Sequence, residues 1–397
     1  MTRTKNAKNT IIMKKVGIIT VHRLPNWGSV MQGYALQKVI EKLGYNCECV
    51  DYIYPNEWHI SKGCWSPQHI SLKNKIARFL GFRPPLLSSL VDEFIKNEMN
   101  VSRCYRSYDE IHKNPPCYDI YVSGSDQIWN WKTMYMDTTY LLDFAPKKSR
   151  IISYSSSFSV NTIPAEYRSI YINCLKRYDA ISVRENGGNV LVSDLLNTNA
   201  KVVLDPTLLL NKEDWKQLEI KANWKSRLPE KYILCYTLGY TYNPIPAMCK
   251  LLHSLQSKYN CPVIFIGREL SDYDGDVFRF ERNQVIGVYE FLWLVSHATV
   301  FATSSFHGTA FSVNLGTPFL SLVEKKEQSD DRISSFLKDM GLIDHLVTVK
   351  TEFEHLKHDE TYDVVSSQKK LQKLRLQSLE WLQNALNGSC EEQKSLC

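Results

Sequence analysis

The chain has 397 residues, of which 44% are hydrophobic and 23% charged, as in a globular protein with room for two domains. The 48 basic and 42 acidic residues leave a net charge of +6. This mild charge fits an anionic substrate or membrane surface, and no dense basic run indicates nucleic acid. Eleven cysteines without a disulfide or metal spacing predict free thiols in a reducing cytosol, and no apolar run approaches the ~18 residues of a membrane span.

The first half opens with a predicted βαβ unit. Residues 16–21 form an apolar run typical of a parallel strand, and residues 30–43 carry an apolar stripe with helical period. Residues 47–52 predict the second strand. The turn after the first strand contains Asn26 and Gly28 but lacks the G-x-G-x-x-G pattern, so a dinucleotide site has little support.

Residues 72–83 form a short basic amphipathic stretch before a Pro-Pro pair. Such a stretch can rest on an anionic membrane surface. The alternative, a solvated helix with its apolar face directed inward, is the more common outcome in general.

Two further strand ends carry polar groups. The predicted strand 118–123 leads into Gly124-Ser125-Asp126-Gln127-Ile128-Trp129-Asn130, which brings backbone N–H groups, a carboxylate and an indole to one edge. Sugar rings stack on exposed indoles, whereas the alternative is a polar turn with Asp126 as a helix N-cap. After the predicted strands 150–156 and 180–183, Arg184 emerges before a helix. It suits a carboxylate or phosphate, or else forms a salt bridge with Glu185 or Asp179.

The second half repeats the alternation of strands and helices. Predicted strands at 232–238 and 262–267 flank a helix, and a long amphipathic helix spans about 368–386. The sequence therefore predicts an α/β protein with an N-terminal domain (13–210), a C-terminal domain (211–360) and a C-terminal helix with a polar tail (361–397).

The unit at 299–323 is the centre of the prediction. An apolar strand at 299–301 precedes Ser304 and Ser305, two good N-caps, and His307 falls in the first helical turn. Ligands of open α/β sheets bind at such strand ends, where a helix N-terminus attracts an anion and an imidazole exchanges a proton near neutral pH. For a lone histidine the simpler interpretation, a capped helix whose imidazole contacts a backbone carbonyl, is favoured, and other residues shift that balance.

A set of short motifs, taken in order and spacing, resembles the polysaccharide pyruvyl transferases over about residues 16–341. They are Asn26-Trp27-Gly28 with Tyr34-Ala35-Leu36, Gly124-Ser125-Asp126-Gln127-Ile128-Trp129-Asn130, Ser182-Val183-Arg184-Glu185, Asp205-Pro206-Thr207, and Ser305-Phe306-His307-Gly308 with Gly316-Thr317-Pro318. The resemblance implies two Rossmann-like domains facing each other across a cleft, as in GT-B glycosyltransferases, and no required metal or cofactor. It implies transfer of pyruvate from phosphoenolpyruvate to two hydroxyls of a sugar as a cyclic ketal.

The resemblance also implies which residues serve the donor: Arg184, His307 and either Lys325 or Lys326. The chain departs from the family pattern around the histidine, with Phe306 before it and Gly308 after it. We hypothesise that His307 is the general acid or base, that Arg184 binds carboxylate or phosphate, and that the lysine neutralises the departing phosphate.

Further candidates are assigned by side of the cleft. Arg332 assists the donor or forms a surface ion pair, and Asp126 is a weaker candidate for the base. On the donor side we expect Ser304, Ser305 and Gly308, and on the acceptor side Asn26, Gly28, Ser125, Gln127, Trp129 and Asn130.

Two other functions stay open. A GT-B glycosyltransferase using a nucleotide sugar would share the fold and the helix-end anion site, but no acidic residue plainly suits a ribose. A non-catalytic binding protein of the same fold is the second. Under the preferred interpretation the partners are phosphoenolpyruvate and a sugar or lipid-linked oligosaccharide, the protein is cytoplasmic, and it touches the membrane peripherally if at all.

Overall fold

Short, buried apolar runs form the strands of two parallel sheets in the computed structural model, which describes residues 13–64, 86–239, 242–281, 284–325, 332–353 and 360–389. The strands are Lys15–Ile19 (β1), Asn46–Cys49 (β2), Ile120–Ser123 (β3), Arg150–Ser153 (β4), Ser182–Val183 (β5), Lys201–Val202 (β6), Ile233–Tyr236 (β7), Val263–Ile266 (β8), Val300–Thr303 (β9), Phe319–Val323 (β10) and Leu346–Thr348 (β11).

The strand order brings particular loops together. The first sheet has the order β2-β1-β3-β4, and the pair β5-β6 continues it through single bridges between residues 152 and 180 and between 156 and 183. The second sheet has the order β11-β10-β9-β7-β8. Because the strands are parallel, the loops after β3, β4 and β5 share one edge of the first sheet, and those after β7, β9 and β10 share one edge of the second.

Helices pack on these sheets. They are Trp27–Lys42 (α1), Glu57–Ser61 (α2), Leu87–Glu98 (α3), Tyr108–Lys113 (α4), Ala165–Leu175 (α5), Asn186–Leu196 (α6), Lys212–Glu219 (α7), Ile245–Tyr259 (α8), Val288–His297 (α9), Phe306–Leu315 (α10), Arg332–Met340 (α11) and Val364–Asn387 (α12). Within the described part of the chain, none of these helices is both long and apolar enough to cross a bilayer.

The predicted elements exist, but several boundaries differ. Helix α1 begins at Trp27, earlier than predicted, because Asn26 caps it by accepting hydrogen bonds from the N–H groups of Gly28 and Ser29. Strand β9 runs to Thr303, into the stretch predicted as a turn, whereas β4 ends at Ser153. The basic stretch 72–83 lies outside the described residues.

Helices α10 and α12 join the two halves. Asn314 of α10 is fully buried, and its Nδ2 donates to the carbonyl oxygens of Thr207 and Leu210 at 2.9 Å each. Arg375 of α12 donates through Nε to the carbonyl oxygen of Leu208 at 2.7 Å and through NH2 to Asn314 Oδ1 at 3.1 Å. The connection between the two sheets is therefore held by side chains from both of these helices.

We expect Asn314→Ala to lower the free energy of unfolding by about 3 kcal/mol. The substitution removes the hydrogen bonds from Asn314 to the carbonyl oxygen of Leu210 and from Arg375 NH2 to Asn314, and it leaves the carbonyl oxygen of Thr207 with only the bond from Trp215 Nε1. Urea denaturation of the full chain measures this loss. Asn46→Ala is the matched control, since Asn46 is exposed and its removal is expected to change the value by less than about 0.5 kcal/mol. Equal effects of the two substitutions would contradict the role of Asn314.

Candidate active site

Arg184 is the cation of the first half. It follows β5 directly, and its side chain is only 1% exposed. Its NH1 donates to Asp205 Oδ2 at 2.8 Å, its NH2 lies 3.4 Å from Asp126 Oδ1, and its guanidinium carbon lies 4.6 Å from the centre of the Phe306 ring. The simpler prediction, a salt bridge with Glu185 or Asp179, names the wrong carboxylates.

His307 is the imidazole of the second half. It is the second residue of α10, whose N-cap is Ser305, with Oγ accepting from the N–H of Gly308 at 3.3 Å. The ring lies against Gly28 of α1, so closely that a Cβ added at Gly28 would fall 2.1 Å from His307 Nδ1. The alternative prediction of a contact with a backbone carbonyl is not what the ring makes: its Nε2 faces Asp205 Oδ2 at 3.7 Å.

Asp205 lies between these two side chains, and sequence reasoning assigned it no role beyond the Asp205-Pro206-Thr207 motif. Its side chain is fully buried. Oδ2 accepts from Arg184 and, at 3.2 Å, from Ser125 Oγ, while Oδ1 accepts from the N–H and hydroxyl of Thr207 at 2.9 and 2.7 Å. The sequence signal for this residue was a carboxylate that follows a short strand and precedes a threonine by two positions.

The loop after β3 supplies the second carboxylate. Asp126 has a φ of 70°, and its Oδ2 accepts from Ser29 Oγ of α1 at 2.7 Å. Gly124, with a φ of 141°, permits this path because a Cβ there would lie 2.0 Å from the carbonyl oxygen of Tyr154. With its amide oxygen turned toward Arg332, Gln127 accepts from both terminal nitrogens of that arginine at 3.0 Å. Arg332 thus comes from the second half to the Asp126 loop of the first.

Several predicted acceptor-side and donor-side residues make hydrogen bonds within the protein. Trp129 is 1% exposed and donates from Nε1 to Ser123 Oγ at 3.0 Å, so the prediction that its indole is a sugar platform is wrong. Asn130 Oδ1 accepts from the N–H groups of Lys132 and Thr133 at 3.0 and 3.2 Å. Ser304 Oγ donates to the carbonyl oxygen of Leu238 at 2.9 Å rather than capping α10.

The remaining candidates are Gly308, Lys325 and Lys326. Gly308 sits beside Thr303, where a Cβ would lie 2.5 Å from Thr303 Oγ1, so it allows α10 to approach β9. Lys325 follows β10 and is exposed. Lys326, the other possible donor-side lysine, lies outside the described residues.

Opposing charges fix the ionisation of the two carboxylates. Burial alone would raise the pKa of Asp126, but the positive charges of Arg184, His307 and Arg332 outweigh it and hold the pKa below its usual value. The pKa of Asp205 is likewise lowered, because His307 and Arg184 together outweigh the effect of its burial. Both side chains are therefore carboxylates at neutral pH.

The cluster retains hydrogen-bonding capacity suited to an anion. Arg184 Nε and His307 Nε2 are buried, and neither has a hydrogen-bond partner among the described residues. Buried polar nitrogens without partners are costly, so their presence near the positive charge of Arg332 favours a ligand with several acceptor oxygens. Within the same residues, no group of three or more His, Cys, Asp or Glu side chains is arranged to hold a metal ion.

The architecture defines a class of protein. A putative UDP-N-acetylglucosamine 2-epimerase of Listeria monocytogenes superposes with a TM-score of 0.51 at 11% identity, covering 98% of this chain and all of that one. UGT89C1 of Arabidopsis thaliana, solved with UDP-L-rhamnose, gives a TM-score of 0.47 at 10% identity over 96% of this chain and all of that one. The first of these similarities shows the fold, two Rossmann-like domains facing across a cleft as in GT-B enzymes.

The sequence then identifies the family. The polysaccharide pyruvyl transferase model matches residues 26–325, three quarters of the chain, and the protein belongs to that family of enzymes. A search of curated protein sequences gives no match to this chain. The matched region includes Arg184, Asp205 and His307.

Gly28→Ala should disturb the contact between α1 and α10, because its new methyl group would overlap the His307 ring. We expect a loss of about 1–3 kcal/mol in the free energy of unfolding, as in overpacked cores, measured by urea denaturation. Gly33→Ala on the same helix is the control, since its Cβ would come no closer than 3.3 Å to a neighbouring side chain. A Gly28→Ala protein as stable as Gly33→Ala would contradict this contact.

The lowered pKa of Asp126 predicts a pH-dependent contribution to stability. Its favourable charge interactions are fully present above the unfolded-state pKa of about 3.9 and are lost as the pH falls below it. We therefore expect the stability difference between the wild type and Asp126→Asn to shrink between about pH 5 and pH 3. Urea denaturation across this range measures it, with the exposed Asp109→Asn as control. A difference that stays constant with pH would refute the assignment.

Proposed function

We propose that this enzyme transfers the pyruvyl group of phosphoenolpyruvate to two hydroxyl groups of a sugar, forming a cyclic ketal and releasing phosphate. The observation that carries the proposal is that Arg184 and His307, from opposite halves of the cleft, both face the buried carboxylate of Asp205, while Arg184 Nε has no hydrogen-bond partner among the described residues. Phosphoenolpyruvate offers the carboxylate and phosphate oxygens that such a site lacks. Family membership makes pyruvyl transfer the relevant chemistry.

The proposed reaction needs one proton donor and one base. Protonation of the methylene carbon of phosphoenolpyruvate makes it a methyl group and leaves a cationic centre at the neighbouring carbon. One sugar hydroxyl adds there and gives its proton to the base. The second hydroxyl displaces phosphate, which carries away the proton of that hydroxyl, so that two C–O bonds form and one breaks. We assign the proton transfer at carbon to His307, which is worth about 10²–10⁴ in rate for a positioned acid.

The residues assigned to the donor are positively charged, as an anionic donor requires. Arg184 binds the carboxylate or phosphate of the donor, and Arg332, held beside the Asp126 loop, adds a second positive charge. Lys325 or Lys326 neutralises the departing phosphate. Asp126 has a lowered pKa, so it is present as a carboxylate and is the available base for an acceptor hydroxyl, although a lowered pKa makes it a weak one.

The proposed acceptor is a lipid-linked oligosaccharide, bound on the side of the first half. The net charge of +6 is compatible with a peripheral contact at the anionic cytoplasmic face of a membrane. No cofactor or metal enters the proposed reaction. Analysis of the reaction products identifies the sugar and the linkage of the ketal.

His307→Ala is expected to lower ketal formation by at least about 10²-fold, because no other imidazole contacts the described cluster in the same way. The assay incubates the full chain with phosphoenolpyruvate and a panel of sugar and lipid-linked acceptors, and follows released phosphate and the ketal by mass spectrometry. His253→Ala, at an exposed position on α8, is the matched control and should retain full activity.

Two results would overturn the proposal. Consumption of a nucleotide sugar instead of phosphoenolpyruvate would assign a glycosyl transfer. Wild-type ketal formation by His307→Ala would remove this imidazole from the reaction.

A further inference from the structure

We propose that Asp205 is the positioning residue of the site: its carboxylate selects the protonated nitrogen of His307 and holds Arg184 in register with it. The inference rests on the proposed function for its catalytic consequence, but the geometry it concerns can be measured without a substrate. Oδ2 of Asp205 faces Arg184 of the first half and His307 of the second. Its direction is fixed because Oδ1 accepts hydrogen bonds from Thr207.

The Asp205 carboxylate cannot rotate freely. Its Oδ1 accepts two hydrogen bonds from Thr207, one from the N–H at 2.9 Å and one from the hydroxyl at 2.7 Å. Pro206 begins the 3-10 turn that presents both donors, since a proline there needs no N–H partner. Oδ2 therefore points away from the turn, toward Ser125, Arg184 and His307.

The charged groups around His307 come from four elements. Asp205 precedes the 3-10 turn, Arg184 follows β5, Asp126 follows β3, and Arg332 begins α11. Helix α1 contributes the uncharged Gly28 against the other side of the ring. Of these groups, Asp205 Oδ2 is the acceptor that Nε2 faces, at 3.7 Å, so a proton on Nε2 is favoured over one on Nδ1.

This arrangement gives Asp205 two consequences in the proposed reaction. It fixes the imidazole tautomer and holds the ring in place, as a buried carboxylate does for a catalytic histidine. It also engages Arg184 NH1, which leaves Nε of that guanidinium for the ligand. Loss of the Asp205 carboxylate should therefore lower turnover through its effect on His307 and Arg184.

The experiment is a ¹⁵N spectrum of the histidine rings in the full-length protein, with His307 assigned by its absence in His307→Gln. In the wild type we expect the neutral His307 ring to carry its proton on Nε2. In Asp205→Asn the negative charge that Nε2 faces is lost, so the fraction of neutral His307 rings with the proton on Nδ1 should rise. In the ketal assay, kcat should fall about 10²–10⁴-fold, with a smaller change in KM for phosphoenolpyruvate.

The chain contains a matched control. Asp51 also lies between a histidine and an arginine, with His22 Nε2 at 3.5 Å from Oδ1 and Arg23 NH2 at 2.7 Å from Oδ2, but its carboxylate does not contact His307. Asp51→Asn should alter the His22 signal and leave the His307 tautomer and kcat unchanged.

The outcomes separate this inference from the proposed function. A wild-type His307 protonated on Nδ1 would overturn the positioning role, and this spectrum decides the matter even if Asp205→Asn fails to fold. An unchanged tautomer and kcat in a folded Asp205→Asn protein would overturn it as well. Absence of ketal formation by the wild type, with the Nε2–H tautomer present, would instead remove the proposed function and leave the geometry of Asp205 intact.

Discussion

One buried carboxylate faces side chains from both halves of this protein. Asp205 is fully buried, accepts a hydrogen bond from Arg184 of the first half and faces His307 of the second. A charge removed from water in this way costs several kcal/mol unless partners and hydrogen bonds compensate for it. The partners of Asp205 are side chains at the ends of β5 and the beginning of α10, so the ionic site and the packing of the two sheets constrain each other.

Two glycines allow the backbone to approach closely enough to form this cluster. Gly28 lets α1 approach the His307 ring, and Gly124 lets the loop after β3 turn beside the backbone of Tyr154. Trp27, next to Gly28, donates from Nε1 to the carbonyl oxygen of Ile286 at 3.0 Å and stacks on Phe291 of α9. The start of α1 is therefore bound to the second half by the apolar and polar contacts of Trp27 as well as by the approach of Gly28 to the His307 ring.

The sequence allowed the prediction of elements whose signals are local. The N-cap at Ser305 and the apolar strands β9 and β10 follow from residue order and capping chemistry, and parallel strands bring their ends to one edge. Arg184 and His307 could be nominated because each follows a predicted strand. Their separation of 123 positions in the chain meant that only the fold, or a resemblance to a known family, could bring them to one site.

The errors had a different physical origin. Trp129 looked like an exposed platform because its neighbours are polar, but its indole N–H finds an acceptor in Ser123 and its ring enters the core. Asp205 was overlooked because a carboxylate before a proline suits an ordinary turn equally well. What distinguishes it is the direction of its second oxygen, which depends on contacts 21 and 102 residues away along the chain.

The two carboxylates that share Arg184 are not equivalent, and this asymmetry bears on how an anion would enter. The contact to Asp205 is 2.8 Å long and fully buried, whereas that to Asp126 is 3.4 Å long and Asp126 is 11% exposed. Coulomb energy falls with distance and with exposure to water, so the Asp126 contact is the weaker of the two. An anionic ligand competing for the guanidinium would displace Asp126 at lower cost, since that carboxylate keeps its hydrogen bond from Ser29 Oγ. Asp205, with both oxygens occupied and no access to water, would remain in place and keep Arg184 beside His307 during the exchange.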